Sequence, residues 1–227
     1  MEILFVSFRE TDNLTARERD RAGLLATGCL RPDQIRIVHV ADGPLPPLDG
    51  VVGVILGGSK WQVFADYPRK AETEAFVLEA CHRGLPVFGI CFGHQLLAKV
   101  LGGQVALDEA RQEMGTVETT LLPAAIDCPL FQGLPVTFPV QCSHYASVIE
   151  SPPTAIILAK SAACPIHAFT MPGTIIYAVQ FHPERSKAQF DAMMSDHGIS
   201  PEARAALRET PEAASLVAHF VALATNS

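Results

Sequence analysis

Short runs dominated by Ile, Val, Leu and Phe alternate with longer amphipathic stretches, and this alternation constrains the chain most. The runs fall at residues 3–8, 35–40, 51–56 and 87–90. Strands that are apolar throughout must be covered on both faces, which is the condition of a parallel sheet held between helical layers. The intervening segments can supply those layers. Residues 12–27 are charged, contain Leu and Ala, and lack proline. In 68–83, Ala71, Ala75 and Leu78 recur at helical spacing beside Val77 and Cys81; Pro68 suits the first turn and Gly84 the stop. Residues 93–101 read as a third helix, closed by Gly102-Gly103. From about 115 to 179 the pattern changes to short strands at 116–122, 136–142, 155–158 and 175–179, read as antiparallel additions to the sheet. Leu216, Phe220 and Leu223, flanked by Val217 and Val221, mark a closing helix. The expectation is an α/β fold of three layers, with a mostly parallel central sheet and antiparallel additions. With no internal repeat and no linker, one domain over residues 1–227 is expected.

Composition narrows the function. Hydrophobic residues make up 48% of the 227 and charged residues 18%, enough for a core and incompatible with disorder. A net charge of −7 argues against broad phosphate-backbone binding, so no nucleic-acid partner is expected. No apolar run approaches the roughly 20 residues of a membrane helix. The start, Met1-Glu2-Ile3-Leu4-Phe5-Val6, is acidic where a signal peptide would be basic. A cytoplasmic protein without membrane association is the expectation. The six cysteines, at 29, 81, 91, 128, 142 and 164, lack zinc-knuckle spacing. Most read as small buried hydrophobes.

Cys91 needs a separate explanation. In Gly89-Ile90-Cys91-Phe92-Gly93 it sits between an expected strand and an expected helix, the context that gives G-x-nucleophile-x-G its meaning. The sulfur then lies near a helix N-terminus, where the dipole and free N–H groups favour thiolate. A buried cysteine in a glycine-flanked turn is the alternative. A nucleophilic thiolate also needs a proton acceptor. Val179-Gln180-Phe181-His182-Pro183-Glu184 is an apolar strand that ends in His and Glu. Across that bend Glu184 can accept from one ring nitrogen of His182 while the other faces the sulfur, the nucleophile–base–orienter arrangement of a triad. Gly57-Gly58 follows another buried strand. The N–H groups of Gly58 and Phe92 would then form a two-donor oxyanion hole, although Gly-Gly after a strand is often only a turn.

These blocks, with Gly93-His94-Gln95 and Leu101-Gly102-Gly103, resemble the signatures of class I glutamine amidotransferases, a flavodoxin-like fold. Over about residues 50–185 the order and spacing are most similar to the glutaminase domain of GMP synthase and its stand-alone relatives. The resemblance implies Cys91 as nucleophile, His182 as base and then acid, and Glu184 as its orienter. It implies release of a γ-glutamyl amide nitrogen through a γ-glutamyl thioester, with no metal or organic cofactor. Gln95, a helical turn beyond Cys91, matches a position that helps bind the amino-acid end of glutamine. Ser143, His144 and Tyr145 match a substrate-side Ser-His-Gly-Asp stretch. Departures occur there: Tyr145 and Ala146 replace Gly and Asp, and Ser59 replaces the usual Pro after Gly-Gly.

Two activities fit. The chain could hydrolyse glutamine or a substituted γ-glutamyl amide by itself, or be a glutaminase subunit that passes ammonia to a separate ATP-dependent synthetase. No Walker-type phosphate loop is present, which suits both. A silent regulatory domain on the same scaffold is a third reading, weakened by the presence of Cys91, His182 and Glu184 together. The small-molecule partner expected in either active case is a γ-glutamyl compound. Tyr145 favours a substituted amide, because its ring could stack on a leaving group that ammonia lacks.

Overall fold

The structure, a computed structural model, describes residues 2–226. In chain order the elements are β1 (Glu2–Ser7), α1 (Leu14–Ala26), β2 (Ile35–His39), β3 (Val51–Leu56), α2 (Lys70–His82), β4 (Val87–Ile90) and α3 (Phe92–Val100). There follow β5 (Gln104–Leu107), β6 (Glu113–Leu121), β7 (Thr137–His144), β8 (Ala146–Glu150), β9 (Ile156–Lys160), β10 (Ala168–Thr170) and β11 (Ile176–Val179). The chain closes with α4 (Lys187–Asp196), α5 (Pro201–Arg204) and α6 (Pro211–Thr225).

The main sheet runs β2-β1-β3-β4-β11-β10-β9-β6-β7. Pairing is parallel from β2 to β11 and antiparallel beyond it. Successive side chains of a strand enter opposite layers. Ile3 and Phe5 join Leu24 of α1 and Leu216, Val217 and Phe220 of α6. Leu4 and Val6 instead join Phe76 and Val77 of α2 and Leu96 and Leu97 of α3. The apolar runs are therefore used on both faces, and the three-layer α/β expectation holds.

Two details differ from the sequence reading. β11 is not an antiparallel addition at β4: Ile176 to Val179 align in parallel with Val87 to Ile90. All four of its residues are buried, as a strand between two covered faces requires. Pro68 does not open α2, which begins at Lys70. It precedes Arg69, whose φ is 56°, and the Lys70 N–H donates to the Tyr67 carbonyl at 3.2 Å. Proline followed by a positive φ inside that hydrogen bond is a type II turn. The small β5–β8 sheet and helices α4 and α5 carried too weak a pattern to be anticipated.

Close approach of α3 to the sheet requires glycine at its first turn. A Cβ on Gly93 would lie 2.3 Å from the Leu56 carbonyl oxygen and 2.7 Å from the Leu56 Cβ. Backbone cannot yield as a flexible side chain can. Gly93→Ala should lower stability by about 2–3 kcal/mol, the cost of overpacking a close-packed interior. A denaturant midpoint unchanged from the parent protein would show that α3 is not seated this tightly.

Candidate functional site

The carboxyl ends of the parallel strands present three of the sequence blocks at one edge, where α/β sheets place their sites. β4 delivers Cys91, β3 delivers Gly57-Gly58, and the segment after β11 delivers His182 and Glu184. Cys91 has φ 54° and ψ −101°, a strained conformation for a residue with a side chain. It is the N-cap of α3, so the elbow holds the sulfur over the first turn of that helix.

The His182 Nδ1–H donates to Glu184 Oε1 at 2.8 Å, both groups being buried. That leaves Nε2 for a second partner. A Cβ on Gly58 would fall 2.9 Å from His182 Cε1 and 3.7 Å from Cys91 Cβ, so glycine is what admits the imidazole between loop and elbow. Burial works against the His182 imidazolium, but the charges of Glu184 and Cys91 and hydrogen bonds to both raise its pKa to about 10. Burial also opposes the Glu184 carboxylate; the His182 charge and hydrogen bond overcome it and hold the pKa at about 2. The electrostatics favour an imidazolium clasped by a carboxylate.

Among the described residues, neither the Gly58 nor the Phe92 amide donates to a protein acceptor, whereas Gly57 N–H goes to Val6 O and Gly93 N–H to Gly57 O. Two donors next to the sulfur are thus open. Ser59 accounts for the missing proline: its hydroxyl donates to Phe8 O at 3.1 Å and accepts from Trp61 N–H at 2.9 Å, fixing the loop by side-chain bonds.

A cleft of about 540 Å³ opens onto Cys91 and His182 and is bordered by Trp61, Gln95, Ser143 and Tyr145. Tyr145 is 54% exposed at its rim. The Ser143 carbonyl lies 3.8 Å from Cys91 Sγ. Gln95 donates Nε2–H to Ala146 O at 2.8 Å and to Gln180 Oε1 at 3.2 Å. His144 borders the cleft, but both ring nitrogens face protein groups, Ala146 O and Glu113 Oε2.

Sequence reasoning missed a buried charge relay behind Glu184. Arg185 donates Nε–H to Glu184 Oε1 at 3.3 Å and pairs through Nη2 with Asp20 of α1. Asp20 also accepts both Nε–H and Nη2–H of Arg9, at 2.8 and 3.0 Å. No local motif signals this, since Asp20 and Arg185 are 165 residues apart. Asp20→Asn would leave two guanidinium groups facing each other with Asp20 and Arg185 only 3% and 2% exposed. Breaking such a pair costs about 3–5 kcal/mol. Thermal unfolding should show a correspondingly large fall in Tm, and a Tm within a degree or two of the parent would discount the relay.

A second cysteine–histidine–carboxylate group exists away from the cleft. Cys142 Sγ is 3.5 Å from His167 Nε2, which is 3.2 Å from Glu113 Oε2. Cys142 and His167 are fully buried, and burial pushes the Cys142 thiol well above its ordinary range. It has the residues of a triad without access to a substrate.

The elbow, the His–Glu pair and the doubly covered sheet define a class that known proteins make specific. Residues 53–200 match glutamine amidotransferase class-I. A glutamine-hydrolyzing GMP synthase of Aeropyrum pernix is 39% identical over 153 residues, 67% of this chain and 28% of that protein. One of the subunits of a glutamine-hydrolyzing GMP synthase from Pyrococcus abyssi is 44% identical over 100 residues, 44% of this chain and 51% of that one. The alignments thus span about a quarter to a half of these relatives' length. A glutamine amidotransferase structure from Thermotoga maritima superposes with TM-score 0.80 at 19% identity, covering 100% of this chain and 99% of that one. One from Methylobacillus flagellatus gives 0.75 at 20% identity, over 99% and 94%. The chain belongs to the class I glutamine amidotransferase family.

Proposed function

We propose that this protein hydrolyses the amide of a γ-glutamyl compound through a thioester on Cys91. The observation that carries the reading is the meeting of the strained Cys91 elbow with the His182–Glu184 pair beside two undirected amides, at the floor of a cleft. The thiolate adds to the amide carbonyl, and the oxyanion accepts from the Gly58 and Phe92 N–H groups. His182 gives its Nε2 proton to the departing nitrogen, so that the C–N bond breaks and a γ-glutamyl thioester remains. The neutral imidazole then takes a proton from water, which attacks the thioester and releases glutamate and the Cys91 sulfur. Glu184 keeps Nδ1 protonated throughout. Gln95 Oε1, free of protein donors among the described residues, would accept from a substrate ammonium group, with Ser143, His144 and Tyr145 forming the adjoining wall.

The physiological setting divides in two. The similarity to a GMP synthase subunit favours a glutaminase that delivers ammonia to a separate synthetase. The exposed ring of Tyr145 at the cleft rim favours a free-standing hydrolase acting on a substituted amide, and this is the reading we adopt. Stacking on a leaving group contributes about 0.5–1.5 kcal/mol, up to roughly tenfold in kcat/KM. Release of glutamate from glutamine and from N-substituted γ-glutamyl amides should therefore proceed without ATP. Tyr145→Gly should erase the preference for the substituted amides. Hydrolysis of every amide only after a synthetase is added would replace this reading with ammonia delivery.

A further inference from the structure

The second cysteine–histidine–carboxylate group brings four metal-donor side chains together. Glu113 opens β6, Cys142 and His144 lie two residues apart near the end of β7 on one face, and His167 immediately precedes β10. Their four donor atoms lie within 4.8 Å of one another, and all four residues are buried. Hydrogen-bond partners constrain the tautomers. His144 Nδ1 faces the Ala146 carbonyl at 3.2 Å, which can only accept, so Nδ1 carries the proton. Its Nε2, a lone pair in neutral imidazole, then points at Glu113 Oε2 from 3.0 Å. His167 Nδ1 lies 3.0 Å from the Thr119 hydroxyl, which has the Lys160 carbonyl as a second, longer contact at 3.4 Å. When Thr119 accepts from Nδ1–H, His167 Nε2 is also a lone pair, 3.2 Å from the same Glu113 oxygen. In that tautomer one carboxylate oxygen faces two lone pairs, with the Cys142 thiol 3.5 Å from His167 Nε2.

A cation satisfies all four groups at once. We propose that Glu113, Cys142, His144 and His167 form a binding site for a divalent ion of the zinc class. The donors are the thiolate, imidazole and carboxylate types that zinc takes, tetrahedrally, at about 2.0–2.3 Å. A thiolate, a carboxylate and two neutral imidazoles balance a double positive charge, as a buried site demands. The surroundings support the ligands as metal sites usually do: Ala146 O and Thr119 Oγ1 receive the outer His N–H groups, and Ser161 Oγ donates to Glu113 Oε1 at 2.6 Å. Sequence spacing concealed the site, because the ligands come from three separate segments and no Cys-x-x-Cys or His-x-x-x-His unit is involved. Bound metal would tie β6, β7 and the β10 entry together at the strand end where Ser143 meets Cys91. The site does not depend on the hydrolase reading.

The test uses the full chain without a polyhistidine tag. Metal analysis after dialysis should find close to one zinc per chain. The stripped protein should take up one Co²⁺, with a thiolate-to-cobalt charge-transfer band and tetrahedral d–d bands. Zinc at a hundredfold excess over Kd should raise Tm by about 5–10 °C. Cys142→Ser should lose the charge-transfer band, and Cys91→Ser should keep it. Glu113→Gln should weaken zinc binding about tenfold or more, and serves if Cys142→Ser fails to fold. Absence of stoichiometric binding together with an unchanged Tm would overturn the site and leave a protonated histidine paired with Glu113. A band lost in Cys91→Ser but kept in Cys142→Ser would overturn it equally.

Discussion

Cys91→Ala should lower kcat/KM for γ-glutamyl amides by about 10⁴-fold or more, as loss of a nucleophile does where a triad acts as a unit. The folded state should remain. Alanine is smaller than cysteine, and at φ 54° it bears the same backbone strain, so Tm should stay close to that of the parent protein. Loss of turnover with retained structure separates a chemical role from a packing role. The corresponding change at Cys142 differs in kind, because that sulfur is fully buried and does not line the Cys91 cleft. Turnover that persists in Cys91→Ala, measured as glutamate released, would remove Cys91 from the chemistry.

The second large effect lies at His182. His182→Asn should lower kcat by about 10⁴-fold or more, since in the proposed mechanism the ring serves both half-reactions, with Glu184→Gln at least tenfold less damaging. The two variants should also differ in their stability profiles. His182 has a pKa raised from 6.5 to about 10, so its contribution is fully present below pH 6.5 and is lost as pH rises toward 10. Glu184 has a pKa lowered from 4.5 to about 2, so its contribution is present above pH 4.5 and is lost as pH falls toward 2. Urea midpoints across both windows should show the His182→Asn deficit shrinking on the alkaline side. A deficit independent of pH, or a Glu184 variant less active than the His182 variant, would contradict these assignments.

What could be read from the sequence was local. Gly89 to Gly93 and His182 to Glu184 carry their geometry in consecutive residues, where glycine permits the elbow and a two-residue offset brings carboxylate to imidazole. The parallel core was legible because β1, β3 and β4 are short and apolar on both faces. β11 has the same character, yet it follows a stretch of antiparallel strands and only its pairing with β4 sets its direction. Pro68 can start a helix or occupy a turn, and the choice was made by Arg69 at positive φ. Arg9, Asp20 and Arg185 converge from the segment after β1, from α1 and from the segment after β11, so their relay exists only once the layers close. Glu113 and His167 are hidden for the same reason. Their ligand-like geometry is a property of strand pairing, with Glu113 opposite His144 across β6 and β7.

The most direct measurement is peptide mass spectrometry of the protein quenched in acid during turnover of a γ-glutamyl amide, with Glu184→Gln used to slow deacylation. A γ-glutamyl adduct should appear on the peptide that contains Cys91, and hydroxylamine should discharge it as the γ-glutamyl hydroxamate. An adduct on Cys142, or steady turnover with no adduct on any cysteine, would contradict the account.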